Sequence, residues 1–279
     1  MDLAEYRKRS LKTWDTMAPG WLRERDFMWN ASRLVGEWLV SRLAPQPGQT
    51  ILELAAGVGD TGFAAARELG SDGKLISTDF SPRMVQAARE RATELGISNS
   101  EHRVMDAEHM DLPDDSVDGV VCRWGYMAMA DPDAAMRETR RVLRDGGRLC
   151  FSVWSGPERN PWAALPGGTL VAAGHLPAPE PGDPGIFSLA DPDRVRSLVT
   201  DAGFGEPEIE LLAIEWRFDS TEEFWGFLNR VAGSVAVVIR DLPETERWAI
   251  RGEIEKHAEA FKRDGGYAFP GECLNVVAT

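Results

Sequence analysis

The stretch Thr50-Ile-Leu-Glu-Leu-Ala-Ala-Gly-Val-Gly-Asp-Thr-Gly62 constrains this chain more than any other. A short β-branched and apolar run reads as a buried strand. It breaks into three glycines, Gly57, Gly59 and Gly62, and then opens a helical pattern from Thr61 to Leu69 with Phe63, Ala66 and Leu69 on one face. Glycine permits a tight turn and close approach of a ligand to the backbone, while the first N–H groups of the helix are free to meet polar ligand groups. A strand that turns into a helix in this way is the opening of a parallel α/β unit.

The next hundred residues repeat the alternation. Lys74–Asp79 reads as a second strand, and Ser81 caps a helix with Pro82 in its first turn that ends at Gly96. His102–Asp106 and Val117–Arg123 read as third and fourth strands. A helix over Asp133–Leu143 carries basic residues toward its C-terminal end, where the helix dipole favours them. Gly146-Gly147 then turns into a fifth strand, Arg148–Trp154. Strands alternating with helices predict a mostly parallel sheet covered on both faces.

Regularity weakens after residue 154. Residues 155–190 are rich in Pro and Gly and read as a long surface excursion with one short helix near Leu165–Ala173. A helix over Asp191–Ala202, a strand over Glu208–Phe218, two helices over Thr221–Arg240 and Pro243–Arg263, and a final strand near Glu272–Val277 follow. Seven strands are therefore expected. The organisation predicted is an N-terminal helical cap over 1–47, a core over 48–154, the excursion over 155–190 lining a substrate pocket, and the rest of the core over 191–279 with a helical lid at 220–265.

A net charge of −14 repels phosphate backbones and argues against nucleic acid as a partner. No apolar run approaches the roughly 20 residues that span a bilayer, so membrane insertion is not expected, and the charged N-terminus lacks the apolar segment of a signal peptide. Cys122, Cys150 and Cys273 are odd in number, widely spaced and set in apolar runs, which reads as reduced core thiols in a cytoplasmic protein. No His, Cys or Asp cluster has metal-ligand spacing, so no metal is expected. The pattern leaves oligomeric state open, with a homodimer one compatible form.

Several residues fall where strands of such a sheet end and ligands bind. Glu53 can accept from a cationic ligand group or hold the glycine loop in shape. Asp79 ends the second strand, where a carboxylate can take both hydroxyls of a ribose, and Phe80 offers a flat face to a base. Asp106 and Glu108 follow the third strand and can accept an exocyclic amine. Arg123 and Trp124 end the fourth. Gly57-Val-Gly-Asp-Thr-Gly62 with Asp79 also satisfies the dinucleotide fingerprint, which keeps an NAD(P)-dependent oxidoreductase as an alternative. About 50 residues before the first strand and the pair Asp106 and Glu108 fit that alternative poorly.

Taken together, Glu53-Leu-Ala-Ala-Gly-Val-Gly59, Thr78-Asp-Phe-Ser-Pro-Arg-Met84, Met105-Asp-Ala-Glu108, Leu112–Val121 and Leu143-Arg-Asp-Gly-Gly-Arg-Leu149 resemble the class I S-adenosylmethionine-dependent methyltransferases. The resemblance covers roughly residues 48–154 and is strongest to the ubiquinone- and menaquinone-biosynthesis group. It implies a Rossmann-like αβα sandwich and S-adenosyl-L-methionine as cofactor. It also implies methylation, on carbon or oxygen, of a small apolar or aromatic metabolite. By the same resemblance Glu53, Gly57 and Gly59 hold the methionine moiety, with Ala55 where many members carry the first glycine. Asp79 takes the ribose, Phe80 and Met84 the adenine faces, and Asp106 with Ala107 the adenine edge. The backbone at Arg123 faces the amino-acid end, and Trp14 with Tyr6 lies in a lid over the cofactor. Tyr126, His109 and His175 are the candidates for contact with the methyl acceptor. A protein that binds the cofactor without catalysis is a further alternative, because fold does not guarantee activity.

Overall fold

The computed structural model describes every residue except Met1 and Pro181. Its sheet contains β1 (Thr50–Glu53), β2 (Lys74–Asp79), β3 (Ser100–Val104), β4 (Val117–Arg123), β5 (Leu143–Trp154), β6 (Glu208–Phe218), β7 (Lys262–Arg263) and β8 (Gly266–Ala278). The strand order is β3-β2-β1-β4-β5-β8-β6, with the two-residue β7 paired to β8. Pairings among β1 to β5 are parallel, whereas β8 runs antiparallel to both β5 and β6. The Rossmann-like expectation therefore holds, with eight strands among the described residues where seven were expected.

Chain direction across the sheet reverses at β1. From its edge the chain moves outward to β2 and β3, then returns to the other side as β4 and β5. Adjacent crossovers leave in opposite directions there, so a crevice opens beyond the carboxyl ends of β1 and β4. That crevice positions the site.

The N-terminal helical cap is a single helix. Helix α1 (Leu3–Leu43) is capped by Asp2, whose carboxylate accepts from Ala4 N and Glu5 N. At 41 residues it is about 60 Å long. Its second half buries Met28, Ser32, Val35, Leu39 and Leu43, spaced three or four residues apart, against the sheet. Shortening one of these leucines to alanine would cost about 2–5 kcal/mol. The first half overhangs the crevice, and Pro19 separates the two halves by removing one helical N–H.

Helices α2 (Asp60–Glu68), α3 (Pro82–Leu95) and α4 (Pro132–Val142) are the crossovers of the parallel half. Helix α4 passes directly into β5, and the register steps from Val117↔Leu143 to Gly119↔Arg148, so Gly146-Gly147 lies in a bulge inside the strand. Residues 155–190 are less of a surface loop than expected. Helix α5 spans Pro161–Ala172, with Trp162 and Leu170 buried. Buried Asn160 fixes its start, donating to Ser155 O and Glu272 O and accepting from Glu272 N. Helix α6 (Pro192–Asp201) follows. In place of two late helices there are three, α7 (Thr221–Val231), α8 (Ser234–Asp241) and α9 (Glu244–Ala258), because Gly233 at φ 55° turns the chain between the first two. Strand β8 is twice the expected length, since all of β6 pairs with it from Glu208↔Val277 to Phe218↔Tyr267.

Candidate functional site

The glycine loop is built around Glu53. Its carboxylate is buried at the end of β1 and accepts from Gly62 N at 2.6 Å and from the Ser77 hydroxyl at 2.9 Å. A Cβ on Gly62 would lie 2.2 Å from Glu53 Oε2, so only glycine lets the helix start sit on this carboxylate. Gly59 caps α2 at φ 87°, where a Cβ would strike the Phe63 ring at 2.4 Å. Burial pushes the Glu53 pKa up to about 8 against the opposing pull of the two hydrogen bonds. Of the two roles open to Glu53, the structure shows loop-holding.

Asp79 ends β2 on the other side of the same loop. One of its oxygens accepts from Gly57 N at 3.0 Å and the other from Ser81 N at 2.9 Å. Each oxygen thus keeps a lone pair for a further donor. Burial raises its pKa to about 6, with the two N–H bonds acting in the opposite sense. Phe80 follows at half burial, and Met84 sits on the first turn of α3, whose N-cap Ser81 accepts from Met84 N.

These groups line an open cleft whose empty space, including the part open to solvent, is about 1050 Å³. Glu53, Ala55, Gly57, Asp79, Phe80, Met84, Asp106, Ala107, Glu108, Arg123 and Trp14 all contribute to its wall. Gly59 does not; it stands behind the loop as the helix cap. Ala55 adopts φ 49°, a left-handed backbone that its methyl group disfavours by about 1–2 kcal/mol.

The three acceptor-contact candidates lie elsewhere. Tyr126 is fully buried, with its hydroxyl on Thr139 Oγ1 at 2.7 Å and its ring against Phe151. His109 projects outward beside Asp106, 74% exposed. His175 pairs with Glu246 of α9 at 3.4 Å. None of the three lines the cleft. Nor does any described residue of 155–190 or 220–265; α7 and α8 instead support α1 from behind, where Val231 O accepts from Trp21 Nε1.

Other lining residues carried no signal in local sequence. Arg7, Ser10, Met129 and Ala130 are brought in by tertiary packing, and Trp21 of α1 faces the cleft with them. Trp14 and Trp21 meet edge to face at 5.8 Å across Pro19. Helix α1 is tied across the opening by Tyr6, whose hydroxyl donates to Ala128 O at 3.1 Å. Arg7 pairs with buried Glu108, and Asp15 accepts from Arg83 N and the Ser81 hydroxyl. Glu108 also accepts from Ala130 N at 2.8 Å, so its carboxylate is a clasp for the helix and not a free acceptor for an adenine amine.

A methyltransferase-domain family model matches residues 45–165. The ubiquinone/menaquinone biosynthesis C-methyltransferase of Escherichia coli is 32% identical over 167 residues, which cover 56% of this chain and 66% of that protein. Residues 45–165 are a class I S-adenosylmethionine-dependent methyltransferase domain. The chain spans about two thirds of the length of the curated relatives it matches. Among solved structures, a putative methyltransferase from Bacillus halodurans superposes with a TM-score of 0.59 at 22% identity, covering 87% of this chain and 97% of that one. The YcgJ protein of Bacillus subtilis gives 0.59 at 17% identity, covering 87% and 96%. The cyclase SpnF, a [4+2]-cyclase by its description, gives 0.54 at 19% identity, covering 90% and 81%. Likeness at these identities establishes the fold alone. The domain match leaves the dinucleotide alternative without support.

The cofactor of this domain family is S-adenosyl-L-methionine, and the residues present suit it. Asp79 keeps one free lone pair on each oxygen for a diol, Phe80 and Met84 give apolar faces, and Thr61 Oγ1 is a buried hydroxyl on the cleft wall without a partner.

Proposed function

We propose that this protein catalyses methyl transfer from S-adenosylmethionine to a small apolar or aromatic acceptor, on carbon or oxygen. One observation carries the reading: a single cleft joins the nucleoside-type wall of Asp79, Phe80, Met84 and Ala107 to an aromatic wall of Tyr6, Trp14, Trp21 and Trp124. A donor and an apolar acceptor placed in one cleft can meet without crossing water.

Bound S-adenosylmethionine supplies an electrophilic methyl carbon on a positively charged sulfur. The chain's own work is then binding, alignment and exclusion of water. In this reading Asp79 takes the ribose hydroxyls, Phe80 and Met84 flank the adenine, and Ala107 with Asp106 meets its edge. Ala55, Gly57 and Thr61 receive the amino-acid end, with Glu53 holding that loop in place. The first half of α1 closes the cleft from above through Trp14 and Tyr6.

Titration of the protein with S-adenosylhomocysteine and, separately, NADH tests the reading. Saturable binding of S-adenosylhomocysteine at micromolar concentration is expected. Tight NADH binding without it would overturn the proposal. A screen of phenols, quinols and enols with S-adenosylmethionine then reads S-adenosylhomocysteine release, and no release with any acceptor would favour a binding protein without catalysis.

A further inference from the structure

The cleft contains a guanidinium with no carboxylate oxygen within 4.0 Å among the described residues, and no histidine lies on its wall. Two guanidinium groups line it. Arg7 is neutralised by Glu108. Arg123 is not: among the described residues no carboxylate oxygen lies within 4.0 Å of it, and its one side-chain hydrogen bond is to the Ser32 hydroxyl on α1. An arginine carries five N–H donors, so most of its capacity is unused.

Its surroundings hold it in place without neutralising it. Trp124 adopts a left-handed backbone, φ 62°, which an indole side chain disfavours. That conformation stacks the ring on Trp154 at 4.2 Å and sets it 4.9 Å from the guanidinium carbon, while Trp29 of α1 lies 6.0 Å from the same carbon. The titratable groups that face Arg123 are Glu53 at the end of β1, Asp60 at the start of α2 and Cys273 on β8. Burial raises the pKa of all three, which weakens each as an anionic neighbour. Burial likewise depresses Arg123 itself.

No histidine lies on the same wall, and its carboxylates are engaged by the protein's own donors. His109 and His175 do not reach it. Each lining carboxylate already accepts from its own donors: Glu53 from Gly62 N and Ser77, Asp79 from Gly57 N and Ser81 N, Asp106 from Glu108 N, and Glu108 from Arg7 and Ala130 N. The Tyr6 hydroxyl donates to Ala128 O, and burial raises its pKa.

We propose that Arg123 is the recognition residue for a methyl acceptor bound as an oxyanion, a phenolate, enolate or carboxylate. The inference rests on the methyl-transfer reading above and names its substrate class. An acceptor that arrives ionised needs no base; it needs a positive group to hold the anion, and Arg123 supplies one. The electron pair of the anion forms the new bond to the methyl carbon and the carbon–sulfur pair returns to sulfur. One anion and one sulfonium thus become two neutral products; when the bond forms at oxygen, or at the carbon of an enolate, no proton is left to remove. The indole of Trp124 on the cleft wall presents an aromatic acceptor with a flat, apolar setting beside that charge.

Binding to the S-adenosylhomocysteine-loaded protein tests this, with benzoate against benzamide as matched charged and neutral probes and 4-nitrophenol as a coloured reporter of ionisation. Benzoate is expected to bind about tenfold or more tightly than benzamide, and bound 4-nitrophenol to ionise about one pH unit lower than when free. Arg123→Met should abolish both effects, and Arg123→Lys should keep part of them, while S-adenosylhomocysteine affinity stays within about threefold. Equal affinity for acid and amide in the wild-type protein, including none for either, overturns the proposal, as does a preference that survives Arg123→Met. Loss of S-adenosylhomocysteine affinity in Arg123→Met with 5′-methylthioadenosine binding intact would assign the guanidinium to the donor's carboxylate and also overturns it. The wild-type contrast stands even if the Met variant fails to fold. Repeating the benzoate contrast without S-adenosylhomocysteine separates the two readings, because a wild-type protein that binds no S-adenosylhomocysteine refutes the methyl-transfer reading by itself.

Discussion

Arg7 on the first turns of α1 donates through Nε to Glu108 Oε2 at 2.8 Å, joining residues 101 positions apart across the mouth of the cleft. Glu108 is buried and Arg7 about one third exposed. The pair therefore holds the overhanging half of α1 over the site. Arg7→Ala leaves the Glu108 carboxylate with Ala130 N as its remaining donor and should destabilise closure of this segment by about 1–3 kcal/mol. Amide hydrogen exchange over residues 3–18 should quicken, and S-adenosylhomocysteine should dissociate faster. Unchanged exchange there would show that Tyr6 and Asp15 suffice to hold the helix. The double variant Arg7→Ala with Glu108→Gln should cost less than the sum of the singles, since both remove one interaction.

Asp79→Ala tests the donor seat directly. Loss of the carboxylate removes two acceptor oxygens from the cleft and releases the N–H groups of Gly57 and Ser81. Calorimetry should find S-adenosylhomocysteine affinity reduced by about tenfold or more, equivalent to at least about 1.4 kcal/mol. Asp79→Asn, which keeps one acceptor oxygen, should fall between wild type and Ala.

Stability of the ligand-free protein should decline from mildly acidic to mildly alkaline pH. Glu53 and Asp79 have folded-state pKa values raised to about 8 and about 6 by burial. The native state binds these protons more tightly than the unfolded chain, so their contribution is complete below the unfolded values of 4.5 and 3.8 and is lost as pH rises through the folded ones. Of these two carboxyls, Glu53 is the one still losing its proton between about 6 and about 8. Glu53→Gln, which can still accept from Gly62 N, should flatten melting temperature against pH in that window. A slope left unchanged would place the titration elsewhere.

Tyr126→Phe should cost about 1 kcal/mol of stability through loss of the buried hydrogen bond to Thr139 and leave turnover intact. His109→Ala and His175→Ala should likewise preserve turnover, because neither ring reaches the cleft. A large fall in kcat for any of the three would mean that the acceptor binds outside this cleft.

Much of the parallel half was legible because its signals are local. Thr50–Glu53 followed by Gly57, Gly59 and Gly62 encodes strand, turn and helix start within a few residues, since backbone conformation and hydrophobic period are set by near neighbours. Ser81-Pro82 marks the start of α3 for the same reason. Asp79 reached its position because the end of β2 is itself locally defined. The late elements were less legible. The length of β8 depends on its antiparallel partner β6, and the continuity of α1 through Pro19 depends on packing against α2, α3 and α7.

By itself the sequence determined the α/β alternation, the glycine loop on Glu53 and the carboxylate that ends β2. Tertiary structure alone decided which charges meet and which do not. It paired Arg7 with Glu108, buried Tyr126 on Thr139, turned His109 outward, and set Arg123 beside two indoles with no direct carboxylate partner among the described residues. The reason is physical. A dihedral preference belongs to a residue and its neighbours, whereas burial and charge compensation belong to whatever the fold brings alongside, often a hundred residues away.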